Sequence, residues 1–321
     1  MNLKDKSVLV TGGAGFIGSH LVDRIIKEHP QRLTLVDNFF LGKKENIRTA
    51  KKKFPKLRVY CQDAADQKAM SRIISKEGID VVFNLAVVPL PASLIKPKWS
   101  FEKNIGITMT MAELARAGKF KTLIHFSSSE VYGTSEYAPM DENHPLNGTT
   151  PYAASKAASD QLVLSYIRTY GIDAAIVRPF NNYGPRQNDR SYAGVIPLTI
   201  KRILTGRPLV IFGDGKQTRD YLYVTDTVDA AVKVYNSRNT RGKVLNIASG
   251  KEISILQVIQ TICKIMGCVK QLKYEPQRLG DVRRHIANIS LATDLIRFEP
   301  KVGLYEGMKN TVEYYSKQKG I

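Results

Sequence analysis

The chain has 321 residues, with 48 Lys and Arg against 29 Asp and Glu, a formal net charge of +19, and 43% hydrophobic and 24% charged residues. That length and apolar share build one large or two modest domains with sizeable cores, and they exclude a disordered tail or a fibre. The cation excess predicts anionic partners. No groove-reading motif accompanies it, and its densest run (Lys43, Lys44, Lys51, Lys52, Lys53, Lys56) reads as a solvated helix face, so a phosphorylated metabolite is expected rather than nucleic acid.

Taken in order, the polar segment from Met1 to Lys6 runs straight into a strand-like stretch, which leaves no room for a signal peptide. Short β-branched runs follow at residues 8–10, 33–36, 57–60, 81–85, 122–126 and 174–177. Helical patterns fill the gaps, including 17–28, stopped by Pro30, and 101–117, followed by Gly118. This rhythm predicts a doubly wound α/β fold on a parallel sheet. After Pro179 the chain becomes turn-rich (Asn181, Gly184, Pro185, Gly206, Pro208, Gly213, Gly215), which predicts a second, smaller C-terminal domain. The division expected is 1–180, with a return near 221–248, and 181–321 mainly for substrate. No apolar run reaches transmembrane length. Cys61, Cys263 and Cys268 show neither a disulfide framework nor zinc spacing, so a soluble, cytoplasmic protein without a metal site or a membrane partner is expected.

The run Thr11-Gly12-Gly13-Ala14-Gly15-Phe16-Ile17-Gly18 follows the first strand and opens a helix. Gly12, Gly15 and Gly18 let the backbone turn beside a pyrophosphate, and the first helical amides, from Phe16 and Ile17 onward, meet its charge. Asp37 ends the second strand, just before Asn38, about 20 residues beyond the glycines, where a carboxylate accepts from an adenosine ribose and repels a 2′-phosphate. The combination points to a Rossmann-type fold binding NAD rather than NADP.

The fifth strand runs into Ser127-Ser128-Ser129-Glu130-Val131-Tyr132-Gly133, at the sheet edge where open α/β folds bind ligands. Pro151 suits a first helical position, and Tyr152 and Lys156 then fall one turn apart. The ammonium is expected to draw the phenol down from its ordinary pKa of about 10 toward the range of a general base. A surface helix with a snorkelling Lys gives the same pattern. Arg186, Arg219, Arg278, Arg283 and Arg284 offer bidentate contacts to a diphosphate, and Asn181 follows the sixth strand. His125 reads as a satisfied core imidazole, and Trp99, with Pro89, Pro91 and Pro97, as packing beside the pocket.

Together these residues resemble the extended short-chain dehydrogenases/reductases, specifically the NAD-dependent nucleotide-sugar epimerases and dehydratases. The resemblance spans essentially the whole chain, through Arg178-Pro179-Phe180-Asn181-Asn182-Tyr183-Gly184-Pro185-Arg186, Gly213-Asp214-Gly215, Arg219-Asp220-Tyr221 and Gly280-Asp281-Val282-Arg283. It implies that Asp63, Ala64, Leu85, Ala86 and Asn104 join the cofactor site, and that a retained NAD⁺ oxidises the sugar at C4. Tyr152 would then be the base, Lys156 would hold the nicotinamide ribose and Ser128 would bind the C4 oxygen, with Arg219 and Arg283 first among the phosphate ligands. It also implies a homodimer formed through helices, for which 109–117 and 157–170 are the candidates.

Glu130 selects among reactions. Beside a C4 ketone a carboxylate can remove the acidified C5 proton and let the C6 hydroxyl leave. Ser-Ser-Glu-Val-Tyr-Gly looks like the signature of hexose-nucleotide 4,6-dehydratases, and the segment containing Met140 to Leu146 is similar to N-acetylglucosamine-nucleotide dehydratases. The first expectation is therefore 4,6-dehydration of an NDP-hexose such as UDP- or GDP-GlcNAc, with Ser128, Ser129, Glu130, Tyr152 and Lys156 as the catalytic set, although Ser129 stands where many dehydratases carry Asp. The runs Tyr183 to Gln187 and Tyr192 to Pro197, including Val195, are epimerase-like and keep a UDP-sugar 4-epimerase open. A UDP-glucuronate decarboxylase shares the Ser-Glu pair.

Overall fold

The computed structural model describes residues 1–189, 193–268, 271–277 and 280–318. In chain order β1 (Ser7–Thr11) leads to α1 (Phe16–Ile26), β2 (Arg32–Asp37), α2 (Arg48–Lys53), β3 (Arg58–Cys61), α3 (Gln67–Glu77), β4 (Val81–Asn84), α4 (Leu90–Ile95), α5 (Pro97–Arg116), β5 (Thr122–Phe126), α6 (Pro151–Tyr170) and β6 (Asp173–Pro179). Beyond Pro179 come β7 (Asn181–Tyr183), α7 (Val195–Leu204), β8 (Leu209–Phe212), β9 (Thr218–Tyr223), α8 (Val224–Asn236) and β10 (Val244–Ile247). The chain closes with β11 (Glu252–Ser254), α9 (Ile255–Ile265), β12 (Leu272–Glu275), α10 (Ser290–Ile296) and α11 (Leu304–Gln318).

Seven strands form one parallel sheet in the order β10-β6-β5-β4-β1-β2-β3. The near-continuous apolar strands follow from burial on both faces. On β1, Val8 and Val10 face one core with residues of α1 and α8, while Leu9 faces another with residues of α3, α5 and α6. The order reverses between β4 and β1, so the carboxyl ends of these strands diverge and open a crevice. β10 comes from beyond residue 240 yet pairs with β6 (Val244 with Ile176), and α8 packs on α1. Two small sheets lie over separate apolar clusters: β11-β9-β7 over one containing Ile196, Ile200, Tyr221, Val258 and Met308, and β12-β8 over one containing Leu209, Ile211 and Ile259.

Some boundaries differ from the sequence pattern for local reasons. The strand expected over 81–85 ends at Asn84, because the Leu85 and Ala86 amides turn to the Thr11 hydroxyl at 3.0 and 3.1 Å. The helix expected from 101 begins at Pro97, where a missing N–H costs nothing, and ends before Gly118 at φ +67°. The helix expected to reach 28 gives way after Ile26 to tight i−3 bonds at Lys27, Glu28 and His29. Among the described residues no helix is long and apolar enough to cross a membrane.

Candidate active site

The crevice at the strand ends is a continuous cavity of about 870 Å³, reaching from the glycine turn to Arg219 and Asp281. Its cofactor end is shaped by what glycine permits. Gly12 has φ +65°, and a Cβ there would stand 2.9 Å from the Ala86 amide; at Gly18 it would stand 2.2 Å from the Gly12 carbonyl. Both positions therefore exclude side chains, and the backbone of β1 meets α1 and the 85–86 segment directly. Gly15 caps α1, whose first residues Phe16 and Ile17 line the cavity with Leu85, Ala86 and Asn38. Asp37 is buried at the wall and accepts from the amides of Ala14 at 2.9 Å and Phe39 at 2.8 Å. Burial raises its pKa, against those amides. Asp63 and Ala64 line the same end, and Asp63 is held below its ordinary range by Lys103, 2.7 Å away, and by the Ala65 amide. Asn104 does not reach the cavity. It is buried and spent, accepting from the Val88 amide at 2.8 Å and donating to Ser155 at 2.9 Å, so it fixes the 85–90 segment from behind.

Ser128, Ser129, Glu130, Tyr152 and Lys156 all line the middle of the cavity. Thr150 caps α6 through the Ala153 amide at 3.1 Å, Pro151 takes the first helical position, and Tyr152 is thereby held in the first turn. Tyr152 lies within hydrogen-bond reach of Ser128, whose Oγ accepts from the Glu130 amide at 3.3 Å. Here the expected depression of the tyrosine is reversed: burial pushes it up to about 12, eased by Ser128 and reinforced by the Glu130 and Asp160 charges. The Lys156 ammonium donates to the Phe126 carbonyl at 2.5 Å, and burial lowers its pKa to about 8, with Asp160 acting the other way. Glu130 is raised by burial, against the pull of Arg219.

Behind this wall runs a buried polar chain. Thr11 donates to Asn84 at 2.7 Å, and Asn84 meets His125 Nδ1 at 3.2 Å. Asp160 accepts from Ser127 at 2.7 Å and from Arg178 at 2.7 Å, and Arg178 lies over the Tyr132 ring. Tyr132 in turn donates to Asn246 at 2.7 Å. His125 is only half satisfied, since its Nε2 stands 4.0 Å from Asp160 Oδ1 and neither atom has a hydrogen-bond partner among the described residues.

At the far end Asn181, Val195, Arg186 and Arg219 line the cavity. Asn181 Oδ1 is buried and without a protein partner among the described residues. Arg219 is 8% exposed and bridges to Asp281 at 2.5 Å. Arg186, at φ +67°, pairs with Asp23 of α1 at 2.7 Å and so ties the cofactor helix to the 183–187 turn. Arg283 is not on the cavity wall: its exposed guanidinium makes a two-pronged pair with Asp214 at 2.8 and 3.0 Å, and Arg284 pairs outside with Glu252. Arg278 and Tyr192 lie outside the described residues. Sequence reasoning missed the wall residues Phe40, Lys43, Lys103, Gln217 and Asp281. Only Asp281 carried a signal, in its Gly-Asp pair.

The model of the NAD dependent epimerase/dehydratase family matches residues 8–248. The chain belongs to that family. A UDP-glucose 4-epimerase of Mycolicibacterium smegmatis is 34% identical over 96% of this chain and 97% of its own length. A UDP-N-acetyl-alpha-D-glucosaminuronate decarboxylase of Bacillus cytotoxicus is 33% identical over 97% and 98%. The crystal structure of a UDP-glucose 4-epimerase from Thermotoga maritima with UDP-glucose superposes with a TM-score of 0.92 at 34% identity, covering 98% of this chain and 99% of that one. Like other members of the NAD dependent epimerase/dehydratase family, the chain is an enzyme of nucleotide-sugar chemistry, and its cofactor is NAD. The residues present fit that dinucleotide: a side-chain-free cradle at Gly12 and Gly18, a helix start facing it, and a carboxylate at Asp37.

Proposed function

We propose that the protein is a 4-epimerase of UDP-hexoses of the UDP-glucose and UDP-N-acetylglucosamine class. Bound NAD⁺ supplies the hydride acceptor and a positive charge that offsets the burial of the tyrosine. Tyr152 takes the proton of the sugar C4 hydroxyl, Ser128 hydrogen-bonds the C4 oxygen, and Lys156 orients the nicotinamide ribose. Gly12, Gly15, Phe16, Ile17 and Gly18 hold the pyrophosphate of the cofactor, and Asp37, Asn38, Asp63, Ala64, Leu85 and Ala86 its adenosine and inner faces. Asn181 offers its unpartnered oxygen to the substrate, with Val195 beside it, and Arg219 faces the diphosphate. The substrate is carried mainly by residues after Pro179 and the cofactor by those before.

The observation that carries this reading is the inventory of acids. Outside the cofactor end, the carboxyls among the described cavity residues are Glu130 and Asp281, and Asp281 is engaged by Arg219 at 2.5 Å and Gln217 at 3.3 Å. Epimerisation needs only the tyrosine and room for the ketone to turn. Dehydration needs in addition a base at C5 and an acid for the departing hydroxyl, and Ser129 is a poor acid. The relatives of highest identity reported above include 4-epimerases in both sequence and structure, which supports the same choice. A second reading, 4,6-dehydration, is favoured by one observation: Glu130 is a half-buried carboxyl on the cavity wall, with a raised pKa, whose charge reaches Tyr152.

The test is incubation with UDP-glucose, UDP-GlcNAc, UDP-glucuronate and GDP-GlcNAc without added cofactor, followed by mass spectrometry and NMR. A C4 epimer of unchanged mass is expected. Loss of one water overturns the epimerase in favour of Glu130-based dehydration, and loss of CO₂ from the glucuronate makes it a decarboxylase. We further infer that two copies pair through the outer faces of α5 and α6, which expose Met109 (37%) and Tyr170 (55%).

A further inference from the structure

Two aromatic side chains at the cofactor end belong to none of the roles above. Phe40, in the segment after β2, and Trp99, in the first turn of α5, are 47% and 40% exposed, and both line the cavity. Their rings meet edge to face, with centroids 5.8 Å apart at 64°. Exposed rings of this size are left at a surface at the cost of apolar hydration, so a contact made across a ligand cavity calls for an account.

The two rings come from opposite walls. Trp99, Lys103 and Ile107 are spaced by four residues on α5, and all three line the cavity. One turn along from Trp99, Lys103 crosses to Asp63 beyond β3, at 2.7 Å. On the other side, the segment carrying Phe40 is fixed at both ends. Phe39 and Phe40 donate to Asp37 and Asn38 at 2.8 and 3.0 Å, and the Lys43 amide donates to the Ala14 carbonyl at 3.0 Å. The Lys43 ammonium reaches Asp189 at 2.9 Å. Gly42 passes so close to Asp37 that a Cβ would stand 2.6 Å from its carboxylate. Residues 38–43 are therefore a strap lying over the ribose-side acid, joined to α5 by the Phe40–Trp99 contact.

We propose that Phe40 and Trp99 form a clasp over the adenosine half of the bound NAD, and that this contact sets how slowly the cofactor leaves. Release requires the strap to lift from α5, which parts the two rings and wets both. The consequence is an enzyme that keeps one cofactor molecule through many turnovers. The inference rests on NAD as the cofactor, and not on which sugar reaction follows.

The tryptophan is the only one in the chain, so the clasp carries its own reporter. The experiment uses the purified holoenzyme and measures NAD release into an enzymatic trap for free NAD, alongside tryptophan emission with and without bound NAD. Phe40→Ala and Trp99→Ala are each expected to speed release by about fivefold to tenfold, the value of one aromatic pair. The double variant should release no faster than the faster single one, because one contact is lost in every case. Trp99→Phe, which keeps an aromatic edge, should stay close to the parent. Circular dichroism of each variant identifies any that fails to fold. Parental release rates in both folded single variants, fully additive rates in the double variant, or tryptophan emission indifferent to NAD each overturn the clasp.

Discussion

Tyr152 and Lys156 occupy one face of α6, yet the ammonium donates to the Phe126 carbonyl and the phenol is pushed up to about 12 by burial. The spacing of the two residues was legible in the sequence. The desolvation that raises the phenol was not, because it depends on walls contributed from the 85–91 segment, the end of β5 and the 179–188 segment. Lys156 itself carries a testable cost. Its folded pKa of about 8 lies below the ordinary 10.5, so between those values the unfolded chain holds more protons and stability rises with pH; below about 8 the penalty is full. It amounts to about 3 kcal/mol at neutral pH. Lys156→Met should therefore unfold at a higher denaturant midpoint than the parent at pH 7, with the gain shrinking toward pH 10, while turnover falls by orders of magnitude. A lower midpoint at pH 7 would show that the bond to Phe126 outweighs the burial. Ser129 marks the other limit at this scale: its place beside Glu130 was readable, but that Asp281 is engaged by Arg219 and Gln217 was not.

Among the elements, α6 decides where Tyr152 sits. Its start is written in the chain as Thr150-Pro151, a capping hydroxyl followed by a residue with no amide to leave unpaired, and its end as Gly171 at φ +64°. Thr150→Ala should cost about 1 kcal/mol of stability, read from chemical denaturation, and should lower kcat more than it raises KM, since the first turn carries Tyr152 and not the substrate's binding groups. A change in KM alone would separate the cap from the chemistry. The βα rhythm of the first half was legible because strands buried on both faces are short and apolar and their helices are long enough to show periodicity. The later elements were not. β8 and β12 pair in parallel although about sixty residues separate Leu209 from Leu272, and three-residue strands such as β7 and β11 carry too little pattern to read. Arg283 shows the same limit: its sequence neighbourhood resembles a phosphate ligand, while its fold position gives it to Asp214.

For the whole molecule, the doubly wound sheet was foreseen, and β10 beside β6 and α8 on α1 bring late segments of the chain back onto it. The proposed pairing of copies through α5 and α6 belongs to this scale as well. Light scattering after gel filtration is expected to give twice the 35.9 kDa of one chain, and Met109→Lys should shift the mass toward a single copy. A parental mass for that variant would move the interface elsewhere. The buried polar chain behind the cavity has a consequence for motion. α6 is fastened to β5 and β6 by Lys156 on Phe126 and by Asp160 on Ser127 and Arg178, each bond shielded from water. Loosening any of them would strand a charge in the interior. The face bearing Tyr152 therefore behaves as a fixed anvil. In the proposed epimerisation, the reorientation between loss and return of hydride therefore falls to the small molecule, while the protein wall holds still.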